Sequence, residues 1–197
     1  MKKLLMIATL FGMLYTAAAQ EKMNDAKPQS EAIGRIRLAN QLAKYGYETY
    51  SASALIEAAR ILAEVETQEL KSESFTAGEG DESVKESAKP EFTPENLIAA
   101  AKEFADGDKT LLALADRVVT AGQEEHRGLL GGPGRRVDRV AANSTDTYVL
   151  AFKYGVPAEI FVSGDGDTDL DLYVYDENGR AIACDDDYSD DCYVCWT

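Results

Sequence analysis

The sequence of 197 residues contains little histidine, little cysteine and few basic side chains. His126 is its single histidine, which excludes a mechanism or metal centre that needs several imidazoles. The 20 Lys and Arg residues face 35 Asp and Glu residues, giving a formal charge of −15. Nucleic acids and anionic membranes select basic surfaces, so neither is an expected partner. Hydrophobic residues make up 45% of the chain, enough for a folded core.

Long apolar runs are scarce too, and the clearest one lies at the start of the chain. Residues 1–19 begin with two lysines, continue with an apolar run from Leu4 to Tyr15 and end in three alanines. This pattern predicts a signal peptide cleaved after Ala19. The run is shorter than the roughly 20 residues that span a bilayer. We therefore expect an exported protein, periplasmic or extracellular, with no membrane span after cleavage. It would keep 18 basic against 35 acidic residues, a charge of −17.

Apolar residues recur at helical spacing in the next segment of the chain. The repeat over residues 20–66 predicts a first helical hairpin. Gly46 is expected to stop its first helix, and Ser51 or Ser53 to cap the second.

The same spacing returns over residues 93–126 and predicts a second hairpin. Thr93 can cap its first helix, and Pro94 can occupy the first helical position. Two successive hairpins predict a four-helix, solenoid-like arrangement.

Two segments with few large apolar residues interrupt these patterns. Residues 67–92 are rich in Glu, Ser, Lys and Gly, which predicts a flexible linker between the hairpins. Residues 127–137 are dense in glycine and predict a second linker. Alternating apolar and polar residues follow over 138–197 and predict strands. Together, the helical and strand patterns predict an α+β protein.

The clearest strand covers residues 169–176, where Leu170, Leu172 and Val174 alternate with polar or aromatic residues. Asn178 and Gly179 predict a turn after it. A returning strand follows, then an acidic loop over 185–191 and a final strand that carries Cys192, Val194 and Trp196 on one face.

These features resemble a known family. The segment 164–197, with its Asp-Leu-Asp-Leu-Tyr-Val-Tyr-Asp strand at 169–176, Asn178-Gly179 turn, acidic loop and final strand, resembles the first half of the bacterial pre-peptidase C-terminal domain. A weaker likeness reaches back to about Asp138. The resemblance implies a small jelly-roll-like antiparallel β-sandwich with an auxiliary, non-catalytic role. Because sandwiches usually need about seven strands over about 100 residues, we expect the one here to be incomplete.

No catalytic motif accompanies the resemblance. The chain contains neither His-Glu-x-x-His nor Gly-x-Ser-x-Gly. We therefore expect an exported non-enzymatic protein that joins a helical interaction module to a sandwich binding calcium or a cell-surface polymer. The alternative is an accessory or propeptide-like component of a secreted hydrolase or peptidase system.

Acidic side chains form the best candidate site. Hard carboxylate oxygens from a turn and a neighbouring loop are what Ca²⁺ requires, although an acidic run is also typical of a solvated surface. The candidate ligands lie on two segments, with Asp165, Asp167, Asp169 and Asp171 on the first and Asp185, Asp186 and Asp187 on the second.

Two cysteines flank the acidic loop. Cys184 and Cys192 lie at the ends of adjacent predicted strands, and an exported protein can keep a disulfide. They are therefore the expected pair. Cys195 would point to the opposite face and lies too far along the same strand to bond to Cys192. It would therefore be left over, either free or bonded to another chain.

Overall fold

The chain forms two compact units, each built from segments that are not consecutive in sequence. A computed structural model of the protein describes residues 2–7, 30–80, 90–125, 132–164, 166 and 169–197. One unit, the helical unit, comprises Glu31–Glu69 and Ala88–Arg135. The other, the β unit, comprises Met1–Ser30, Leu70–Ser87 and Arg136–Thr197. Helices and antiparallel strands are both present, so the predicted α+β class is confirmed.

Four helices are present in the described residues, as the periodicity predicted. They are α1 (Glu31–Thr49), α2 (Ala52–Glu64), α3 (Pro94–Phe104) and α4 (Lys109–Glu125). Ser51 caps α2, since Ala54 N donates to its Oγ, and Thr93 caps α3 by accepting from Asn96 N. Each side chain satisfies an amide that has no partner within its helix. None of the described helices is both long and apolar enough to cross a bilayer.

Helix α2 is the centre of the helical unit and packs against the other three helices. Its inward face is rich in alanine, and Leu55 is completely buried there. Small side chains let neighbouring helix backbones approach closely, so close packing of the helices, more than large apolar side chains, forms this core. The solenoid-like stacking of the hairpins stays a prediction.

The prediction that Gly46 stops the first helix is wrong. Helix α1 continues through Gly46 to Thr49, and the turn falls at Tyr50, whose φ is 54°. Gly46 is buried, and a Cβ built on it would lie 2.5 Å from Leu55 Cδ2. Gly46 is therefore needed for close contact between α1 and α2, and it does not end helix α1.

The β unit contains a five-stranded and a two-stranded sheet in its described residues. The strands of the larger sheet are β1 (Lys2–Ile7), β3 (Ser74–Thr76), β5 (Thr147–Phe152), β7 (Leu172–Asp176) and β8 (Ala181–Asp185). They run in the order β3-β5-β1-β7-β8, and every pair is antiparallel. The smaller sheet pairs β6 (Ala158–Ser163) with β9 (Asp191–Trp196).

Side chains from both sheets share one hydrophobic cluster. Its buried members are Leu150, Leu172, Val174, Ala183, Cys192 and Val194. The alternation read from the sequence places Leu172 and Val174 on the buried face of β7, as expected. The turn before β8 has Gly179 at a φ of 76°, where a side chain would be strained. The jelly-roll arrangement and its incompleteness stay predictions.

The predicted linkers are only partly irregular. Within 67–92, the segment Ser74–Thr76 forms edge strand β3, and Gln68–Glu69 forms strand β2. Strand β2 pairs in parallel with β4 (Gly134–Arg135), which lies within the second predicted linker, 127–137. Residues 81–89 and 126–131, including His126, lie outside the described residues.

The edge strand β3 is held by contacts that composition does not reveal. The Phe75 ring lies 4.9 Å from the Tyr148 ring, and the Arg136 guanidinium lies 4.8 Å from the Phe75 ring centroid. Gly78 N also donates to Asp146 Oδ1 at 2.9 Å. A few well-placed partners therefore order a segment that has too few apolar residues to fold by itself.

We expect Gly46→Ala to destabilise the protein by about 1–3 kcal/mol, because Leu55 is packed on all sides and cannot make room for a new methyl group. Chemical denaturation measures the change in the free energy of unfolding. The matched test places the same substitution in a Leu55→Ala background, where the obstructing atoms are gone. If Gly46→Ala lowers the free energy of unfolding equally in both backgrounds, the contact with Leu55 is not the reason for the glycine.

Candidate functional site

The backbone brings the two predicted acidic segments together in the β unit. Leu170 N donates to Ser189 O at 3.0 Å, and Gly164 N donates to Asp190 O at 2.8 Å. Within the loop, Ser189 N donates to Asp187 O at 2.8 Å. The loop between β8 and β9 is therefore fixed against the segment that precedes β7, and the two sets of carboxylates become neighbours.

Asp185 is the most deeply buried carboxylate of this group, with 6% of its surface exposed. Tyr193 N donates to its Oδ2 at 2.8 Å. Its Oδ1 is buried and has no hydrogen-bond partner among the described residues. A buried carboxylate oxygen without a donor is costly, so Oδ1 is the oxygen of this group at which a bound donor or cation would stabilise the protein most.

Neighbouring carboxylates add repulsion. Burial raises the pKa of Asp171, and the charges of Asp169, Asp186 and Asp185 raise it further. The pKa of Asp187, an exposed residue of the loop, is also raised, by partial burial of its carboxyl group and by the charges of Asp185 and Asp169. Both shifts mean that the folded protein disfavours the ionised form of these groups. The acidic cluster (Asp169, Asp171, Asp185, Asp186 and Asp187) is therefore electrostatically unfavourable in isolation.

Tyr173 binds one member of the acidic cluster from the outer face of β7. Its Oη donates to Asp186 Oδ2 at 3.1 Å. The pKa of Tyr173 is raised by burial and by the charge of Asp186. The phenol therefore keeps its proton, and that proton fixes the Asp186 carboxylate.

The two remaining candidates, Asp165 and Asp167, lie outside the described residues. Within the part of the chain that the structure describes, no three His, Cys, Asp or Glu side chains converge in an arrangement that could hold a metal ion. The described carboxylates are thus close enough to repel one another but do not form a closed coordination shell.

The predicted Cys184–Cys192 disulfide is not formed, and all three cysteines are free thiols. Cys192 lies in the core, where its Sγ donates to Leu170 O at 2.9 Å. Cys184 alternates along β8 with the buried Ala183 and Asp185, so it lies on the other face of the sheet. Adjacent strand ends suggested proximity, but opposite faces keep these side chains apart.

Sequence reasoning missed Asp146. It is almost fully buried, and its Oδ1 accepts from Gly78 N at 2.9 Å, whereas Oδ2 has no partner among the described residues. In a sequence, an aspartate just before a strand is usually interpreted as a turn residue. Its actual partner is 68 residues away in sequence, so no local pattern could have revealed the contact.

The thiols provide a direct test of this arrangement. We expect iodoacetamide to alkylate Cys195 in the native protein and Cys192 only after denaturation, because burial and the nearby charge of Asp185 raise the pKa of Cys192. Peptide mass spectrometry measures both positions. Equally fast labelling of the two cysteines, or an intact mass lower by two hydrogens with Cys184 linked to Cys192, would contradict the structure.

The raised pKa values also predict how stability depends on pH. Asp171 and Asp187 bind protons more tightly in the folded state than in the unfolded state. Their contribution to stability therefore grows as pH falls through their folded pKa and levels off below the unfolded value of about 3.9. In the presence of a chelator, the double variant Asp171→Asn/Asp187→Asn should have a higher Tm than the wild type at neutral pH. The difference in Tm should become smaller at acidic pH.

The matched control for that experiment is Asp106→Asn. Asp106 is an exposed residue of the helical unit, and its φ of 44° suits asparagine. Combined with Glu103→Gln, at another exposed residue of the helical unit, it removes two negative charges outside the acidic cluster, the same number as the cluster variant. If it raised Tm as much as the cluster variant did, general charge repulsion would explain the result.

No protein-family model, curated protein or solved structure matches the chain. The chemistry of its own residues is therefore what indicates a function. The strongest features are the unpartnered Asp185 oxygen and the carboxylates that surround it.

Proposed function

We propose that this is an exported, non-enzymatic protein whose β unit is a pre-peptidase C-terminal-type sandwich that binds calcium, and whose helical unit binds another protein. The features that support this are the signal-peptide pattern of residues 1–19 and the family resemblance of residues 164–197. The single observation that carries the calcium proposal is the buried Oδ1 of Asp185, which lacks a partner among the described residues.

A divalent cation would relieve two unfavourable features at once. It would supply a partner for Asp185 Oδ1, and it would neutralise the charge repulsion that, together with burial, raises the pKa values of Asp171 and Asp187. Ca²⁺ takes six to eight oxygen ligands at about 2.3–2.6 Å and tolerates irregular geometry. Asp185 would bind the ion through Oδ1. The other predicted ligands, Asp165, Asp167, Asp169, Asp171, Asp186 and Asp187, would have to move toward the ion, because the described side chains do not form a metal-binding group without it.

The available donors favour a hard cation. Cys192 is the cysteine buried beside the acidic cluster, but its Sγ donates a hydrogen bond to Leu170 O. Burial and nearby carboxylates raise the pKa of this thiol, so it does not supply the thiolate that zinc would take. Oxygen ligands remain, and these suit calcium.

A second candidate ligand is a surface polymer such as a glycan. Tyr188 lies in the acidic loop and is fully exposed. An exposed tyrosine presents an apolar ring with a polar tip, which suits contact with a sugar face. We place this candidate second because a single aromatic ring forms only part of a binding surface.

The interaction role of the helical unit is supported by its exposed apolar side chains. Leu38 and Tyr45 lie seven residues apart on α1, on the same face of the helix, and about half of each is exposed. Tyr50 follows at the end of the helix and is more exposed still. Apolar groups grouped on one exposed helix face are typical of a protein-binding surface.

We expect Ca²⁺ to raise the Tm of the protein, because a ligand bound only to the folded state stabilises it by about 2.7 kcal/mol at a hundred times its dissociation constant. Asp185→Asn should abolish the response, since the amide oxygen can still accept from Tyr193 N but the charge is lost. Differential scanning calorimetry measures both.

Two controls separate binding from screening. Asp106→Asn should respond to Ca²⁺ as the wild type does, and NaCl at matched ionic strength should give a smaller rise in Tm. Identical melting curves for the wild type in EDTA and in millimolar Ca²⁺ would overturn the calcium proposal.

A further inference from the structure

Strand β1 lies in the middle of the larger sheet. It pairs with β5 over six residue pairs, from Lys2 opposite Phe152 to Ile7 opposite Thr147. On its other side it pairs with β7 over four, from Leu4 opposite Asp176 to Ile7 opposite Tyr173. Both pairings are antiparallel. Strand β1 therefore satisfies backbone groups of two strands that would otherwise be edges.

The same six residues belong to the predicted signal peptide, so cleavage after Ala19 would remove the strand. Strands β5 and β7 are each antiparallel to β1 and hence parallel to one another. With β1 gone, two strand spacings of about 4.8 Å each would separate them. That gap is too wide for direct hydrogen bonds and has the width of one strand. We call it the strand slot, bounded by Thr147–Phe152 and Leu172–Asp176.

The floor of the strand slot is apolar. Leu150 and Val174 belong to the buried cluster and lie opposite positions 4 and 6 of β1 in the pairing register. Emptying the slot would expose this part of the core and two rows of unpaired backbone groups. Both changes favour refilling by an extended chain.

We propose that, in the exported protein, the strand slot binds an extended segment of a partner polypeptide, added antiparallel to both β5 and β7. The inference rests on the proposed export, because export is what empties the slot. A segment paired with strands on both sides must donate hydrogen bonds from its backbone amides along its whole length. Proline has no amide hydrogen, so it is excluded from the segment. The register requires apolar residues at the two alternate positions opposite Leu150 and Val174.

Charge defines the partner further. Strand β1 starts with Lys2 and Lys3, which pair with Phe152 and Ala151. After cleavage the protein carries 18 basic and 35 acidic residues, a formal charge of −17. A segment with a basic start and an apolar remainder would therefore repeat the sequence pattern of β1, fit the apolar positions of the slot and be attracted by the net charge of the whole chain. A second copy of this chain is the competing occupant.

The experiment uses the secreted protein, residues 20–197, and a fluorescently labelled peptide, Lys-Lys-Leu-Leu-Met-Ile, as the probe. Fluorescence anisotropy should show saturable binding at one peptide per chain. The full chain, residues 1–197, is the matched control and should bind at least about tenfold more weakly, because its own β1 fills the slot. A peptide with proline at the third position should also bind residues 20–197 about tenfold or more weakly than the probe does.

A second variant keeps the experiment decisive in the intact chain. Leu5→Pro in residues 1–197 removes a donor from β1 and should open the slot to the probe. The proposal is overturned if the probe fails to bind both this variant and residues 20–197. It is overturned in the same way if residues 20–197 stay unfolded in the presence of the probe and this variant does not bind it. Dimers of residues 20–197 that exclude the probe would also overturn it, in favour of a second copy. N-terminal mass spectrometry of secreted material decides the export proposal separately, since Met1 retained there would refute cleavage while the probe measurements still test the slot.

Discussion

The buried carboxylate of Asp185 is the constraint on which the arrangement of the β unit depends. Asp185 ends β8 in the larger sheet, and its Oδ2 accepts from the amide of Tyr193 on β9 in the smaller sheet. This contact links the two sheets at the end where the acidic loop connects their strands. Because one carboxylate oxygen is used there, the other is left buried without a partner among the described residues. This contact between the sheets thus leaves beside it the oxygen at which the proposed cation would bind.

The helical unit is governed by a different constraint, which is the close approach of its helices. Gly46 and the alanines of the core bring backbones together around Leu55. Such a core is sensitive to added volume and has little polar chemistry. The two units therefore differ in chemistry: the helical unit has a close-packed apolar core, and the β unit holds neighbouring carboxylates that repel one another.

Local signals in the sequence predicted a large part of this fold, because the interactions behind those signals are local. Ser51 and Thr93 cap helices through amides three residues away, and the alternation in β7 directly determines which side chains are buried. The errors concern contacts between distant residues. The role of Gly46 depends on Leu55 in the next helix, and the order of β3 depends on Tyr148. For the site, sequence placed the acidic segments together but could not identify Asp185 as the buried member.

Strand β7 connects the two proposed binding sites. Along one edge it borders the strand slot through its pairing with β1. Along the other edge it pairs with β8, which ends in Asp185, and it is preceded by Asp171 of the acidic cluster. A cation that fixes Asp171 and Asp185 would fix one end of β7 and β8, and a segment in the slot would fix the edge of the same strand. Since coupling between two sites is reciprocal, any gain in segment affinity that calcium produces must appear equally as a gain in calcium affinity when the slot is filled.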